Sequence, residues 1–436
     1  MAWDFQTDPE FQAKLDWARD FVRDEIEWLG YIDPDDHEHP TPEFTRLFLD
    51  PLKQRVREAG LWACHLTPEM GGHGYGQLKL ALLNEILGGV RFASIVFGCQ
   101  APDTGNAEII AHYGTEAQKE RYLKPLLNGE IFSCYSMTEP HGGADPKTFR
   151  TRAWREGDEW VLDGEKFFSS FAKSAAFLIV MAVTSPDAPD PYKRMSMFLV
   201  PSDTPGIKIL RNVGSYGEPM NEGIHGWVRY DRVRLPADAV LGGEGQAFVI
   251  SQTRLGGGRI HHAMRTIAMC RRALDAMGER VLSRETQGEL LANKQLVQAQ
   301  IADSWIELTQ FRLMVLYTAW LIDQHKAYTP DVRKHIAACK VETARIADAV
   351  IRRAMHLHGA LGVTNEMPFG RDLMSAQIHG IHDGPTEVHQ VTVARQVLRG
   401  YKAAEHVFGS SWIPPKMEAA RARYETELVK RRAAAG

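Results

Sequence analysis

The chain has little cysteine, no long apolar run and no strong excess of either charge, and each shortage excludes a class of protein. Its five cysteines are widely separated among 436 residues, and no two have Cys-x-x-Cys spacing. Such cysteines are typical of free thiols in a reducing compartment. We therefore expect neither a disulfide framework nor a zinc or other metal site, and we predict a cytoplasmic protein.

The remaining shortages concern membranes and nucleic acids. No apolar run approaches the ~18–20 residues that span a bilayer, so we predict no membrane span. The first residues, Met1 to Asp8, lack the layout of a signal or transit peptide. A net charge of −4 gives no attraction to nucleic acid. What is present, 44% apolar and 24% charged residues, is the composition of an ordinary globular protein.

The apolar pattern changes twice along the chain, which predicts a helical, then a strand-rich, then a second helical region. At ~150 residues per domain, the length predicts roughly three domains. In the middle region the dipeptide Asp163-Gly164 separates two short apolar runs and predicts a hairpin turn there. The predicted divisions are an N-terminal helical domain (1–133), a middle β domain (134–243), a C-terminal helical bundle (244–405) and a tail helix (406–436).

The segment 379–389, with the sequence HGIHDGPTEVH, carries the most information about function. It places Asp383 in a Gly-Pro turn, where a helix cannot continue and a backbone N–H is left without a helical partner. On local grounds alone, an aspartate in such a turn is usually a helix cap or an Asx-turn. A catalytic carboxylate is the alternative.

Two further segments favour the catalytic interpretation: 135–145 (YSMTEPHGGAD) and 255–262 (LGGGRIHH). Taken by itself, a glycine-rich loop after a strand is a weak indication of phosphate binding. Together, the three segments resemble the acyl-CoA dehydrogenase family, and the resemblance covers nearly the whole chain. Segment 255–262 and the Asp-Gly-Pro sequence are similar to a branch that in animals includes proteins fused to a kinase-like domain.

The resemblance implies a fold that is mainly α with a middle β domain: an N-terminal helical domain, a β-barrel-like domain and a C-terminal four-helix bundle. It implies FAD as the cofactor and an acyl-CoA as the substrate. In this family a carboxylate removes the α-proton while FAD takes the β-hydride, giving the trans-2-enoyl-CoA. The reduced flavin is expected to pass its electrons to an electron-transferring flavoprotein.

The resemblance assigns the role of base to Asp383. Other branches carry the base as a Glu immediately before Arg259, and that position is Gly258 here. The Asp383 N–H and the ribityl 2′-hydroxyl of FAD are expected to hold the enolate oxygen. Closing the site over an apolar acyl chain is expected to raise the pKa of the carboxyl group. The residues expected at the substrate are Ala144, Gly258, Arg259 and Gly384.

The flavin contacts of the family map onto a larger set of residues. Ala144 stands where the family has Ser, Phe168 where it has an indole, and Gln287 where it has Phe. His356 and Ala360 replace a Gln and a Gly. The residues expected at the cofactor are Tyr135, Met137, Thr138, Gly143, Ala144, Phe168, Ser169, Ser170, Arg284, Thr286, Gln295, His356, Gly359, Ala360, Pro385, Thr386 and Glu387.

Part of this set implies an oligomer. Arg284 and the turn 356–360 match elements that complete the FAD site of a neighbouring subunit, so we expect a homo-oligomer, a tetramer rather than a dimer. Arg284 would pair with the pyrophosphate. For His261 and His262 the ordinary interpretation is helix packing or subunit contact.

Besides the dehydrogenase, two other classes of function stay open at this point: a flavin oxidase of the same fold and a non-enzymatic binding protein. Nitroalkane oxidases share the fold and also use an aspartate base, and acyl-CoA oxidases return electrons to oxygen. A non-enzymatic binding protein is the third possibility, although the charge balance does not suit DNA. The Gly-Arg-Ile-His-His sequence favours the dehydrogenase.

Overall fold

Helices form both ends of the chain and a sheet forms its middle. The computed structural model describes residues 7–32, 40–64, 66–68, 72–215, 223–325, 329–404 and 407–436. The predictions that involve residues 1–6, 405 and 406 fall outside the described residues. The mainly helical class with a middle β domain, predicted from the resemblance, is confirmed.

The N-terminal region consists of short helices around one apolar core. In the first helix Phe11, Leu15, Ala18 and Phe21 recur at helical spacing and are all buried, and the Asp8 side chain caps its first turn by accepting from the Phe11 N–H. The helices are α1 (Pro9–Phe21), α2 (Leu29–Ile32), α3 (Pro42–Phe44), α4 (Asp50–Glu58), α5 (Gly76–Leu87), α6 (Ala93–Val96), α7 (Asp103–Tyr113), α8 (Glu116–Gln118) and α9 (Lys124–Leu127).

The middle region is an eight-stranded sheet. Its strands run in the spatial order β6-β7-β3-β2-β4-β5-β8, and β1 lies parallel to β4. The strands are β1 (Ser133–Ser136), β2 (Arg152–Glu156), β3 (Glu159–Ser170), β4 (Phe177–Val183), β5 (Met195–Pro201), β6 (Ile207–Val213), β7 (His225–Pro236) and β8 (Val240–Leu241).

The predicted hairpin turn at Asp163-Gly164 is wrong. Both residues lie inside β3, and the turn between β2 and β3 is made by the two residues after Glu156, of which Gly157 has φ +64°. Gly164 instead marks a register shift against β7. A Cβ there would lie 2.6 Å from the Cα of Thr151, so the glycine permits close approach of two backbones.

The C-terminal region is built from long helices. On α10 the residues Ile260, Ala263, Met264 and Ile267 face the same core as apolar residues of α12. The helix α10 packs against α5, α11 and α12. The elements are α10 (Ala247–Ser283), a small hairpin of β9 (Glu285–Thr286) and β10 (Glu289–Leu290), α11 (Gln295–His325), α12 (Pro330–His358), α13 (Phe369–His379) and α14 (Thr386–Leu398).

One carboxylate joins the two helical regions. Asp323, near the end of α11, accepts hydrogen bonds from the backbone N–H groups of Gln77 and Leu78 at 2.7 and 2.9 Å. These groups belong to the first turn of α5, where helical N–H groups have no internal partner. A side chain more than 240 residues away in sequence therefore caps α5 and fixes it against the bundle.

Two features bear on the environment of the protein. All five cysteines are buried free thiols, as predicted. Among the described helices, none combines the length and the apolar character needed to cross a bilayer.

Residues 393–436 form a second compact unit. It contains the last residues of α14 and the helix α15 (Ile413–Ala435), in which no residue is buried. The tail helix was predicted from the charged sequence after Pro414-Pro415. It begins at Ile413 because proline fits the first turn of a helix, where its missing N–H costs nothing.

Candidate active site

Asp383 lies in the turn between α13 and α14, in a left-handed backbone conformation with φ +53°. This conformation is uncommon for a residue other than glycine and needs support from its surroundings. Arg259 on α10 donates from Nε to the Asp383 carbonyl at 2.9 Å, and His389 on α14 donates from Nε2 to the same oxygen at 3.1 Å. The backbone of the predicted base is therefore held from two helices.

A third helix holds the turn from beneath. Lys340 on α12 is fully buried, and its ammonium group donates to the carbonyl of His379, the last residue of α13. Helix C-termini carry unpaired carbonyls and a partial negative charge, so a cation there is favourable. Burial lowers the pKa of Lys340 to about 8.

The carboxylate of Asp383 faces Gly258. A Cβ built on Gly258 would lie 3.0 Å from Asp383 Oδ2, closer than nearly all real Cβ contacts. The two positions for a base that the resemblance implies, one on α10 and one in the turn after α13, thus face the same small volume. The missing side chain at Gly258 is what leaves room for the aspartate.

Two imidazoles lie beside this carboxylate, and a third contacts one of them. His382 Nδ1 lies 3.5 Å and His262 Nε2 lies 3.8 Å from Asp383 Oδ2. His379 Nδ1 is 2.9 Å from His382 Nε2. The predicted role of His262 was helix packing or subunit contact, and His379 and His382 were not among the predicted site residues. Their positions in the sequence could have indicated them, because these two histidines are three residues apart and lie just before Asp383.

Opposing effects set the charge of Asp383. Burial, the largest influence, raises the pKa of its carboxyl group, but the hydrogen bond and charge of His382, together with the charge of Arg254, outweigh it and hold the pKa well below the usual range. This direction is the opposite of the one expected for the site closed over an acyl chain. The carboxylate is therefore ionised, and drying by substrate would have to overcome these cations to raise its pKa.

The three imidazoles could in principle offer ligands to a metal, since one nitrogen of each lies within 4.8 Å of the others. Their surroundings are cationic, however. The positive charges of Arg265 and Lys340 lower the pKa of His379. In the same way, Arg254 lowers the pKa of Asp383 and Arg259 lowers that of Lys340. Four basic side chains around a single carboxylate repel a divalent cation and favour an anionic ligand.

The segment predicted to line the flavin follows β1 and is fixed by a buried ion pair. Lys166 on β3 donates to the Met137 carbonyl at 2.7 Å and to Glu139 at 2.9 Å, and both charged side chains are almost fully buried. Glu139 also accepts from the N–H groups of Arg150 and Thr151. The Phe167 N–H donates to the Thr138 carbonyl at 2.9 Å. Sequence reasoning missed the pair, since nothing in a strand pattern marks a lysine as buried.

Phe168 is 53% exposed, which is unusual for a phenylalanine in a sheet. Its ring stacks on Phe167 with centroids 3.7 Å apart and meets the edge of His225 at 6.2 Å. Ser170 Oγ lies 2.8 Å from Nδ1 of His225. Ser169 differs from its neighbours: it is buried and its hydroxyl is paired with Ser136 at 2.7 Å, so only its backbone could reach a cofactor.

Tyr135 connects the flavin segment to the base. Its hydroxyl donates to Ser251 on α10 at 3.0 Å, and the guanidinium of Arg254 lies over its ring at 3.9 Å. Arg254 in turn donates from Nε to Asn106 on α7 at 2.8 Å. The same Arg254 lowers the pKa of Asp383, so α7, β1 and α10 together place one cation near the carboxylate.

The other predicted residues fall into three groups. Pro385, Thr386 and Glu387 continue from the Asp383 turn into α14, and the Thr386 N–H donates to the Gly380 carbonyl at 3.0 Å. Gly384 has φ +99°, and a Cβ there would meet His389 Nε2 at 2.9 Å. Gly143 and Ala144 are exposed in the loop after Thr138.

The third group lies far from Asp383. Arg284 follows the last residue of α10, whereas Arg259 contacts Asp383 near the middle of that helix. At about 1.5 Å per residue, the 24 residues from Arg259 to Ser283 span about 36 Å. Arg280 donates to the His358 carbonyl at 3.4 Å, which brings the turn after α12 to the same end. The predicted cofactor residues at this end are all exposed: Arg284, Thr286, Gln295, His356, Gly359 and Ala360.

Three domain profiles of one family match the chain in order. The acyl-CoA dehydrogenase N-terminal domain matches residues 8–130, the middle domain 134–233 and the C-terminal domain 245–398. Helices, sheet and helices in this order define the three-domain architecture of the acyl-CoA dehydrogenases. The chain belongs to the acyl-CoA dehydrogenase family.

Curated relatives agree with this assignment. The chain is 39% identical to FadE2 of Mycobacterium tuberculosis, named as a probable acyl-CoA dehydrogenase, over 92% of this chain and 94% of that protein. It is also 39% identical to acyl-CoA dehydrogenase family member 10 of Mus musculus and 36% identical to family member 11 of Rattus norvegicus. The chain spans 33% and 46% of the lengths of those two animal proteins.

Solved structures share the fold. A Mycobacterium abscessus protein named as a candidate acyl-CoA dehydrogenase is 37% identical, with a TM-score of 0.84 over 91% of this chain and 100% of that chain. A glutaryl-CoA dehydrogenase of Mycobacterium smegmatis, solved in complex with FADH2, is 25% identical, with a TM-score of 0.73 over 92% of this chain and 97% of that chain.

The contact between Lys340 and His379 predicts an effect on the Asp383 turn. Lys340→Met keeps the length of the side chain but leaves the buried His379 carbonyl without its partner, a loss of about 1–3 kcal/mol. We expect faster amide hydrogen exchange in the peptide that contains residues 380–384, measured by mass spectrometry. Lys334→Met, on the exposed face of α12, is the control and should leave exchange there unchanged. Equal protection in both variants would contradict the role assigned to Lys340.

Proposed function

We propose that the chain is an FAD-dependent acyl-CoA dehydrogenase in which Asp383 removes the α-proton of an acyl-CoA thioester and the product is the trans-2-enoyl-CoA. The position of Asp383 carries the proposal. Its carboxylate is ionised, faces Gly258 and is supported through its backbone by Arg259. A general base must be deprotonated and must be held within reach of the proton it takes.

The backbone of Asp383 supports a second role. Within the described part of the chain, no group accepts a hydrogen bond from the Asp383 N–H. An N–H left without a partner at a base is suited to stabilise the negative charge that develops on a thioester oxygen. Gly384, with no side chain, lets the substrate approach this N–H closely. Arg259, Gly258 and Ala144 are the other residues proposed at the substrate.

The residues predicted for FAD fit such a group. Phe168 offers an exposed aromatic face, and the loop after Thr138 offers exposed backbone at Gly143 and Ala144. Arg284 offers an exposed guanidinium for a phosphate. FAD, when bound, supplies the acceptor for the β-hydride. The chain positions the substrate and takes the α-proton on Asp383.

We propose that each cofactor is shared by two chains. Arg259, which contacts Asp383, and Ser283, which precedes Arg284, lie about 36 Å apart along α10 by helical rise, which favours a cofactor held by two copies. The helix α11 also exposes large apolar side chains, Leu296 at 82% and Trp305 at 59%, and such surfaces are typical of subunit contacts. A tetramer is proposed over a dimer, with an electron-transferring flavoprotein as the partner and the cytoplasm as the location.

The base is tested by Asp383→Asn. Asparagine keeps the size of the side chain, tolerates the left-handed conformation and retains the backbone N–H, but it cannot accept the α-proton. Anaerobic flavin reduction by a substrate acyl-CoA should slow by at least ~10²-fold, the lower range for the loss of a general base. Asp331→Asn, at an exposed position of α12, should reduce at the wild-type rate. Wild-type reduction in Asp383→Asn would place the base elsewhere.

A rescue sharpens this test. Because a Cβ on residue 258 would lie 3.0 Å from the carboxylate, a Glu introduced by Gly258→Glu in an Asp383→Ala background should recover part of the rate. Oxygen uptake with a CoA thioester, compared with a nitroalkane, separates the dehydrogenase from the oxidase alternatives.

Phe168→Ala tests the proposed flavin face. Loss of a stacking ring should weaken FAD binding by about 0.5–1.5 kcal/mol or more and shift the flavin absorption band. Tyr192→Ala removes another exposed aromatic residue, one that packs on Phe248, and should change neither. An unchanged spectrum and unchanged affinity in Phe168→Ala would return Phe168 to a structural role.

Arg284→Gln tests the sharing of the cofactor. Removing a charged donor from a phosphate should weaken FAD retention by about tenfold or more, since such hydrogen bonds are worth about 1.5–3 kcal/mol. The ratio of flavin to protein absorbance gives the occupancy, and light scattering gives the assembly. Arg371→Gln, at an exposed position of α13, is the matched control. A monomer fully loaded with FAD would overturn the proposal of shared sites.

A further inference from the structure

His382 lies between a carboxylate and a second imidazole. Its Nδ1 is 3.5 Å from Asp383 Oδ2, and its Nε2 is 2.9 Å from His379 Nδ1. A neutral imidazole donates from one nitrogen and accepts at the other, whereas an imidazolium donates from both. A doubly protonated His382 fits both neighbours when the Nδ1 of His379 is the acceptor of this contact.

The two neighbouring histidines are arranged to stay neutral. His262 Nδ1 accepts from Nη2 of Arg265 at 3.2 Å, so its own proton lies on Nε2, facing Asp383. The pKa values of His262 and His379 are well below normal, first because of burial and then because His382 lies against both. Of the three imidazoles, His382, the nearest to the carboxylate, is thus the one placed to carry a charge.

We propose that His382 carries a proton while Asp383 is ionised and gives it up through His379 when Asp383 becomes neutral, so that the charge of the site stays constant as the base takes a proton. Four basic side chains, those of Arg254, Arg259, Arg265 and Lys340, surround Asp383 and His382. When Asp383 is neutral, an imidazolium at His382 therefore has no anion to offset these positive charges. His379 is the half-buried residue at which the proposed relay ends. The groups acting on the pair are Arg254, Arg259, His262 and Arg265 from α10, Lys340 from α12, and His389 from α14.

The proton balance is explicit. The α-proton stays on a carboxyl oxygen of Asp383. The Nε2–H bond of His382 breaks, its proton binds His379 Nδ1, and the Nε2 proton of His379 leaves to water. One proton enters the cluster and one leaves it, and no electrons move among these residues. This last step rests on the proposed role of Asp383 as the base, whereas the coupling between Asp383 and His382 does not.

The coupling can be measured without substrate. In D2O the intensity of the Raman band of N-deuterated imidazolium measures the number of cationic histidines. The variant Asp383→Asn replaces the carboxylate by a neutral side chain of the same size and so represents the neutral carboxyl group. At neutral pH, Asp383→Asn and His382→Gln should each lose one imidazolium relative to wild type. The double variant should also lose one, because both changes remove the same proton.

His389→Gln is the matched control. His389 contacts the same aspartate through its carbonyl, but burial lowers its pKa to about 4, so it is neutral and its removal should leave the count unchanged. A wild-type count in Asp383→Asn, or the loss of two imidazoliums in the double variant, would overturn the proposal. Asp383→Asn decides the question by itself should His382→Gln fail to fold.

A second measurement follows the reaction in the holoenzyme. With an indicator dye in weak buffer, wild type should release one proton as the flavin is reduced, and His382→Gln should release none in that phase. Equal release in both would also reject the relay. Failure of the proposed function has a different signature: the flavin stays oxidised with every acyl-CoA tested, while the Raman count still decides the coupling.

Discussion

The site depends on keeping an ionised carboxylate in a largely buried turn. Removing such a group from water is costly unless charges and donors replace the lost hydration. Here the groups that replace water are the imidazoles beside Asp383, arginines on α10, and Lys340, which binds the end of the preceding helix. The long helices α10 and α12 are what bring these groups to one point. The packing of these helices and the charge state of Asp383 therefore depend on each other, and a change in one alters the other.

The class of fold was predictable, because helical and strand periodicities differ and change at well-marked places along the chain. The location of Asp383 in a turn followed from its Gly-Pro neighbours. The Asp163-Gly164 turn was mistaken because a local dipeptide preference competed with the pairing of β3 along its whole length. The dipeptide was accommodated as a bulge, and the reversal was made at Gly157 instead. Local sequence preferences indicate which positions can form a turn, but strand pairing over many residues determines which of them does.

The surroundings of the site were much less predictable. Lys166 and Glu139 are separated by 27 residues and pair in a dry interior, and Asp323 caps a helix that begins 247 positions earlier. Such contacts depend on which elements the fold places side by side, and no periodicity encodes that. The same holds for the pKa of Asp383: burial and cations push in opposite directions, and their sum depends on distances that the sequence does not contain.

Gly258 also limits how many acids the site can hold. A Cβ at this position would lie 3.0 Å from Asp383 Oδ2, so a carboxylate on α10 and the one in the turn after α13 would compete for the same few ångströms. Two acids in such contact titrate as a coupled pair, and neither has a pKa of its own. With glycine at position 258, the site keeps a single acid on this side of the turn.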